Sequence, residues 1–402
     1  MMPSLTLALT VAGGFALLLA LHPFVTYPLS LLLLRRWRGV PHPPAAAAPV
    51  PSLPLPLPAP PARTEPLSFA ICTCAYNEAR VIEAKLQNLL ALRGQHPGLD
   101  ILVYVDASSD DTAAICRRYA RQIELRVSKR RTGKTHGMNV LVPLTQADIV
   151  VFTDANVMLD AQALVRLEAH FADAEVGCVC GSLVYTNAAE STTARTGSLY
   201  WRFEESIKRL ETDTGSVMGA DGSLFAIRRA LHRPPPDHII DDMYVSFMVL
   251  CSGHRMVQAT DVRAFEESVS SMREEFQRKV RIACQAFNVH RLLWPRLVRL
   301  PALSLYKYLS HKVLRWFTIY FIVLAYAAFV AAALLSGSFR LAAAMAAPPA
   351  TLWLLGYRFP VQPVAQMFDV LSALAGAGLG VWRSMSGHLY QTWTPAASIR
   401  KR

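Results

Sequence analysis

Five short polar clusters in this sequence follow apolar runs, and each carries side chains able to do chemistry. In Ile239-Ile240-Asp241-Asp242-Met243 two adjacent acids follow an apolar, strand-like pair. A carboxylate there can take a proton from a hydroxyl, and the negative charge beside it raises its pKa toward a useful value. The same pair also reads as the acidic first turn of a helix. In Thr153-Asp154-Ala155-Asn156, Asp154 and Asn156 are spaced i and i+2 behind the apolar run 149–152. On a strand end two such residues point the same way and can hold a divalent cation together with phosphate oxygens; they are also ordinary turn chemistry.

The other three clusters suit a nucleotide. In Lys129-Arg130-Arg131-Thr132-Gly133-Lys134, Gly133 supplies backbone freedom and Lys134 can reach a diphosphate, while a solvated basic loop has the same composition. Ala75-Tyr76-Asn77-Glu78 follows the run 69–73 and precedes a helical pattern. Its ring can stack on a base and its polar groups can bond the base edge, although turn residues before a helix look alike. Asp106 stands at a strand end, where it can accept hydrogen bonds from a base or ribose, whereas Ser109 or Asp110 reads as the cap of the next helix.

Such clusters need elements to hold them. Short β-type runs at 69–73, 101–105, 124–127 and 149–153 alternate with amphipathic stretches at 79–92 and 110–121, which predicts a parallel α/β sheet. Ligands of such sheets bind at the carboxyl ends of the strands, where the polar clusters fall.

The rest of the chain is not all soluble in character. Of 402 residues 52% are apolar, and 5–34 hold no Lys, Arg, Asp or Glu, which exceeds the length of about 20 needed to span a bilayer. Nothing basic precedes this stretch and it is too long for a cleaved signal. Arg35-Arg36-Trp37-Arg38 then places the following chain in the cytosol by the positive-inside rule. The runs 316–339 and 341–357 read as a second and a third span. The run 359–382 carries Asp369, and crossing would carry Arg383 and Arg400-Lys401-Arg402 outside, so it reads as interfacial or re-entrant. The basic amphipathic stretch 261–301 suits a membrane interface. The net charge of +12 is spread beside apolar segments, which fits anionic lipid headgroups and argues against nucleic acid. Seven scattered cysteines lack paired zinc spacing and read as reduced and structural.

The order and spacing of the five clusters resemble the family 2 inverting glycosyltransferases of GT-A fold. The likeness is to the membrane-bound group of cellulose, hyaluronan, chitin-oligosaccharide and poly-N-acetylglucosamine synthases, and covers roughly 69–285 with its flanking spans. Ala75-Tyr76-Asn77-Glu78 looks like the nucleotide loop. The segment 106–112 is similar to the family's Asp-Gly-Ser-Thr-Asp-Gly-Thr, with Ala107 and Asp111 replacing glycines. Gly133-Lys134 with Asn139 resembles the diphosphate segment, and Asp154-Ala155-Asn156 the Asp-x-Asp motif with Asn156 replacing the second acid. Gly219-Ala220-Asp221-Gly222 resembles the acceptor-facing loop, and Asp241-Asp242 the Glu-Asp pair whose second acid is the base. Arg278-Lys279-Val280-Arg281-Ile282 is a partial counterpart of Gln/Arg-x-x-Arg-Trp, with Ile282 in place of tryptophan.

The resemblance implies a mainly parallel GT-A sheet with transmembrane and interfacial helices. The expected organisation is an N-terminal transmembrane helix in 1–35, a Pro/Ala-rich linker in 36–66 and a cytosolic GT-A domain in 67–262. Basic interfacial helices in 263–305 and C-terminal transmembrane helices with a basic tail in 306–402 complete it. It further implies transfer from a nucleotide-sugar donor, a UDP-hexose or UDP-N-acetylhexosamine, to a polysaccharide or lipid-linked acceptor at a bacterial inner membrane, with room for an accessory membrane subunit. Asp242 is then the base. Tyr76, Glu78, Asp106, Lys134, Asp154, Asp221, Asp241, Arg278 and Arg281 bind substrates, and Asp154 and Asn156 bind Mg2+ or Mn2+. A catalytically silent scaffold or regulator that keeps the nucleotide pocket is the alternative, invited by Asn156. A transporter is disfavoured, because the spans lack paired charges and a repeat.

Overall fold

The computed structural model describes residues 2–39, 66–187, 192–267, 271–359 and 361–393; most of the Pro/Ala-rich segment and the terminal Arg400-Lys401-Arg402 lie outside these. Two helices come first, α1 (Met2–Leu21) and α2 (Thr26–Trp37). An alternating series follows: β1 (Phe69–Ala75), α3 (Ile82–Gln95), β2 (Asp100–Asp106), α4 (Thr112–Arg118), β3 (Glu124–Ser128), α5 (Lys134–Leu141) and β4 (Ile149–Asp154). Next are β5 (Met158–Leu159), α6 (Ala163–Phe171), β6 (Val176–Tyr185), α7 (Thr192–Asp213), β7 (Leu224–Arg228), α8 (Asp241–Cys251) and β8 (Arg255–Glu266). The remainder is helical: α9 (Met272–Leu297), α10 (Ala302–Tyr308), α11 (Leu314–Leu335), α12 (Phe339–Ala344), α13 (Ala347–Thr351) and α14 (Val364–Met385).

These elements form two compact units. The sheet unit holds Leu32–Thr186, Glu204–Glu267 and Tyr390–Arg402; the helical unit holds Met1–Leu31, Asn187–Phe203 and Ser268–Leu389. In the sheet unit eight strands run in the order β3-β2-β1-β4-β7-β6-β8-β5. β1 to β4 are mutually parallel, as the alternation predicts, whereas β7 runs against both β4 and β6. All of β1 is buried, which a parallel strand covered by helices on both faces requires, and β3 at the edge carries the charged Glu124 and Arg126. Phe152 of β4 stacks on Phe225 of β7 with ring centroids 4.6 Å apart, tying the parallel half to the mixed half. All seven cysteines are free, and six of them are buried.

The helical unit differs from the sequence reading in two places. The uncharged stretch 5–34 is two helices, because the chain turns at 22–25, where Pro23 has no N–H to continue α1. The run 341–357, read as a third span, is broken into α12, α13 and a wide π-type turn at Leu352–Arg358, with Pro348-Pro349 at the break. Among the described residues three helical segments are long and apolar enough to cross a membrane: Ser4–Leu21, Ala302–Leu335 and Val364–Met385. The last is the run that the charge rule reads as interfacial. α1 lies along α11, with Phe329 packed over Gly13, and Ser384 of α14 donates a 2.6 Å hydrogen bond to Asn288 of α9. The basic stretch 261–301 divides between the end of β8 and the helix α9.

Candidate active site

Parallel register brings the first two acids together. β1 is flanked by β2 and β4, with Ala75 beside Val105 and Cys74 beside Asp154. Asp106 and Asp154 therefore end their strands on either side of the loop that carries Tyr76, at the point where the strand order reverses.

Asp106 is fully buried, and its carboxylate organises the basic loop. It accepts the backbone N–H of Thr132 at 2.7 Å and of Gly133 at 3.0 Å, the Thr132 hydroxyl at 3.0 Å and Nε of Arg131 at 3.1 Å. Arg131 in turn lies on the face of Tyr76, 3.2 Å from the ring centroid, and donates to the carbonyl of Trp393 at 2.7 Å. Gln391 donates to the Thr132 carbonyl at 3.1 Å. Residues 390–393, which belong to the sheet unit, thus join the loop. The cap position of α4 falls on Asp111, whose side chain makes no capping hydrogen bond, rather than on Ser109 or Asp110 as the sequence suggests; Asp110 instead accepts N–H groups from Thr112 and, across the loops, from Ala79. Glu78 is buried, with its backbone N–H on the Thr112 hydroxyl at 2.8 Å.

Gly133, with φ at +94°, turns the chain into α5, whose first residue is Lys134. Gly137 lets α5 sit against the sheet, since a Cβ there would come within 2.5 Å of the Cys74 sulfur and 2.6 Å of the Tyr104 ring. So placed, Lys134 Nζ donates to Asp154 Oδ1 at 2.7 Å, lies 3.4 Å from the Gly222 carbonyl and 3.7 Å from Asp241 Oδ2. Burial alone would lower this amine's pKa, but the Asp154, Asp241 and Asp242 carboxylates outweigh it and hold the pKa above its ordinary value.

α5 also positions the second pair of acids. Thr135 donates to the Ile239 carbonyl at 2.7 Å, His136 pairs with Asp237 at 2.9 Å, and Asn139 donates to the Pro235 carbonyl at 2.8 Å. The segment 235–240 is a loop rather than a strand, and Asp241 and Asp242 form the acidic first turn of α8. Asp242 accepts the Met243 N–H, and its Oδ2 lies 3.0 Å from where a Cβ on Gly222 would stand. Burial first, and the Asp241 carboxylate second, raise the Asp242 pKa to about 7. Asp241 is buried, and its Oδ2 has no hydrogen-bond partner among the described residues. Asp221, on the loop beside Gly222, accepts the Ser223 N–H at 3.0 Å.

Asn156 donates its amide to Glu266 Oε1 at 2.9 Å, which leaves its carbonyl oxygen for a cation, and the Asp154 side chain is 38% exposed. One carboxylate and one amide oxygen fit a Mg2+- or Mn2+-sized ion whose other ligands are diphosphate oxygens and water. Among the described residues no group of three or more His, Cys, Asp or Glu gathers as a self-sufficient metal site. Arg278 and Arg281 belong to the helical unit, where Arg278 makes a bidentate pair with Glu275 at 2.7 and 3.0 Å and Arg281 donates to Gln285 at 3.3 Å.

Sequence reasoning passed over Gln391, Trp393 and Lys85, and took Arg131 only as one member of the basic cluster 129–134. Lys85 is the one with a local signal: it interrupts the apolar stripe Ile82, Leu86, Leu89 and Leu92 of α3, and it is fully buried. Its ammonium donates to Thr153 Oγ1 at 3.1 Å and to the Val157 carbonyl at 2.5 Å. Burial pulls its pKa down to about 7, against the raising effect of Asp154.

The parallel-then-mixed sheet with acids at the strand ends is a GT-A fold, and residues 70–233, which hold most of this site, match Glycosyl transferase family 2. The chain carries a family 2 glycosyltransferase domain. It is 30% identical over 127 residues to beta-monoglucosyldiacylglycerol synthase of Trichormus variabilis, covering 30% of this chain and 27% of that one. It is 26% identical over 189 residues to poly-beta-1,6-N-acetyl-D-glucosamine synthase of Staphylococcus aureus, covering 45% of each. The chain thus spans less than half the length of these curated relatives. Among solved structures, mannosyltransferase PcManGT from Pyrobaculum calidifontis, in complex with GDP-Man and Mn2+, is similar in fold. Its TM-score is 0.66 at 23% identity, over 95% of this chain and 99% of that one.

Proposed function

We propose that this protein is a membrane-bound inverting glycosyltransferase that moves a sugar from a nucleotide-diphosphate donor to a lipid-linked or polysaccharide acceptor. The observation that carries the reading is the group of Lys134, Asp154, Asp241 and Asp242 around Gly222, where one cation and a carboxylate with a pKa near 7 face the same space. The relatives' products and the three apolar helices support an acceptor held at a membrane surface. We place the protein in a bacterial inner membrane with the sheet unit in the cytosol.

In this reading Asp242 accepts the proton of the acceptor hydroxyl. The freed oxygen bonds to the anomeric carbon as the bond from that carbon to the diphosphate oxygen breaks, so the configuration inverts and the nucleoside diphosphate leaves. Lys134 holds the diphosphate, whose negative charge grows as the bond breaks. Asp154 and Asn156 would hold a Mg2+ or Mn2+, which would supply further charge neutralisation there. Asp241, whose Oδ2 accepts no hydrogen bond among the described residues, and Asp221 face the sugars; Arg278 and Arg281, which the sequence resemblance assigns to the diphosphate and acceptor, belong to the helical unit. Tyr76 stacks on the base. Because Arg131 lies on that ring and on Asp106, the base displaces Arg131 or stacks against it.

The test is release of nucleoside diphosphate by the detergent-purified full chain, across UDP- and GDP-sugars with Mn2+ or Mg2+, beside Asp242→Asn. Release from one donor, lost in the variant while nucleotide affinity stays within about twofold, is the expected result; general-base contributions run to about 10²–10⁴-fold. Tight nucleotide binding without turnover, with lipid and polysaccharide acceptors present, would favour the silent scaffold.

A further inference from the structure

A buried ammonium is an expensive way to fill a groove. Taking one out of water costs several kcal/mol, and an apolar residue on the α3 stripe would pack without that cost. Lys85 nevertheless sits there with no exposed surface, so its place is explained by what it bonds.

Both of its hydrogen bonds go to the chain that carries Asp154 and Asn156. Thr153 precedes Asp154, and Val157 follows Asn156, so the ammonium braces the two ends of this turn from beneath. The turn's own closing hydrogen bond, Val157 N–H to the Asp154 carbonyl, is a long 3.3 Å. One turn further along α3, Asn88 clasps Leu159 by both backbone groups, its amide donating to the carbonyl at 2.9 Å and its oxygen accepting the N–H at 2.9 Å. Thr73 on β1 donates to the Thr153 carbonyl at 2.9 Å. Lys85 and Asn88 are therefore both aimed at one segment, 153–159, while Glu83 and Arg93 of the same helix bond to Tyr119, Leu99 and Gln122; of the two, Lys85 spans the turn that carries Asp154 and Asn156.

We infer that Lys85 is a positioning residue that holds Asp154 and Asn156 in the orientation needed to share a divalent cation with a nucleotide diphosphate. This rests on the proposed function. Its effect is confined to metal-dependent binding, because the base and ribose contacts lie on other loops. Geometry and charge make opposite predictions for its removal. A loosened turn weakens binding of the cation with the diphosphate, whereas loss of a positive charge near Asp154 by itself strengthens it.

The experiment measures affinity of the full chain in detergent for UDP and for GDP, each with Mn2+ and with EDTA, in wild type, Lys85→Met and Lys85→Gln. Lys85→Met should lower affinity about tenfold in Mn2+, the scale set by residues that orient metal ligands, and change it less than about twofold in EDTA. Lys85→Gln, which keeps a donor without the charge, should recover most of the loss. Hydrogen exchange of 153–159 should quicken in Lys85→Met. Equal loss with and without Mn2+, no loss, or tighter binding in Mn2+ overturns the inference while leaving the proposed function standing. If wild type binds neither diphosphate with Mn2+, the reading of the site falls and this inference with it. Should Lys85→Met not fold, Asn88→Ala must show the same Mn2+-confined loss at smaller size, and its absence overturns the inference.

Discussion

At Asp242, burial and the Asp241 carboxylate act in the same direction, and together they bring the acid into the range where a base serves near neutral pH. Only the unprotonated carboxylate accepts the acceptor's proton, so kcat/KM should rise with pH through about 7 and level off above it. Below that value it should fall about tenfold per pH unit, whereas an ordinary aspartate near 3.9 would give a flat profile from pH 6 upward. A rate profile from pH 5.5 to 9 checks this, and a flat one removes Asp242 from the role. Gly222 gives a second test at the same scale. A Cβ there would stand 3.0 Å from Asp242 Oδ2 and 3.2 Å from Lys134 Nζ, both ends of side chains that can give way. Gly222→Ala should therefore fold normally, shown by an unchanged melting temperature. Its turnover should drop roughly 10²-fold, since small displacements of reacting groups carry that scale of cost.

α5 is the element on which both halves of the site depend. Its first residue is Lys134, its polar residues Thr135 and Asn139 hold the loop leading to Asp241 and Asp242, and its start is set by the Asp106 carboxylate through the 131–133 loop. Gly133 allows that start in two ways: its φ is +94°, and a Cβ would fall 2.1 Å from the Gln391 carbonyl oxygen, a backbone atom with nowhere to go. Gly133→Ala should lower unfolding stability by about 2 kcal/mol, the scale of left-handed strain, and weaken nucleotide binding. Thermal melts and titration with UDP and GDP check this. Ala107 and Asn77, at φ +49° and +53°, show that the other two nucleotide loops carry such strain without glycine.

For the molecule as a whole, three apolar helices predict that the protein stays in the membrane pellet after an alkaline carbonate wash and leaves only with detergent. Release by carbonate alone would mean that these helices lie on the surface. The sequence by itself determined the parallel strands, the polar residues that end them and the apolar character of the helical unit. Strand and helix periods are written in neighbouring residues, and apolar runs announce themselves by composition. Where periodicity failed, local chemistry was the cause: Pro23 splits an uncharged run that hydropathy alone reads as continuous, and Pro348-Pro349 breaks another. Only the tertiary structure decided which partners the polar residues take. Asp106 accepts all its observed hydrogen bonds from the 131–133 loop, Lys134 reaches Asp154, Asp241 and Gly222 on three separate segments, and Gln391 meets Thr132 across 259 residues. Lys85 breaks a stripe that sequence alone scores as a flaw, and becomes intelligible when the Asp154 turn closes above it. Such pairings follow from strand register and helix docking, which join residues far apart in the chain and leave no periodic trace in either segment.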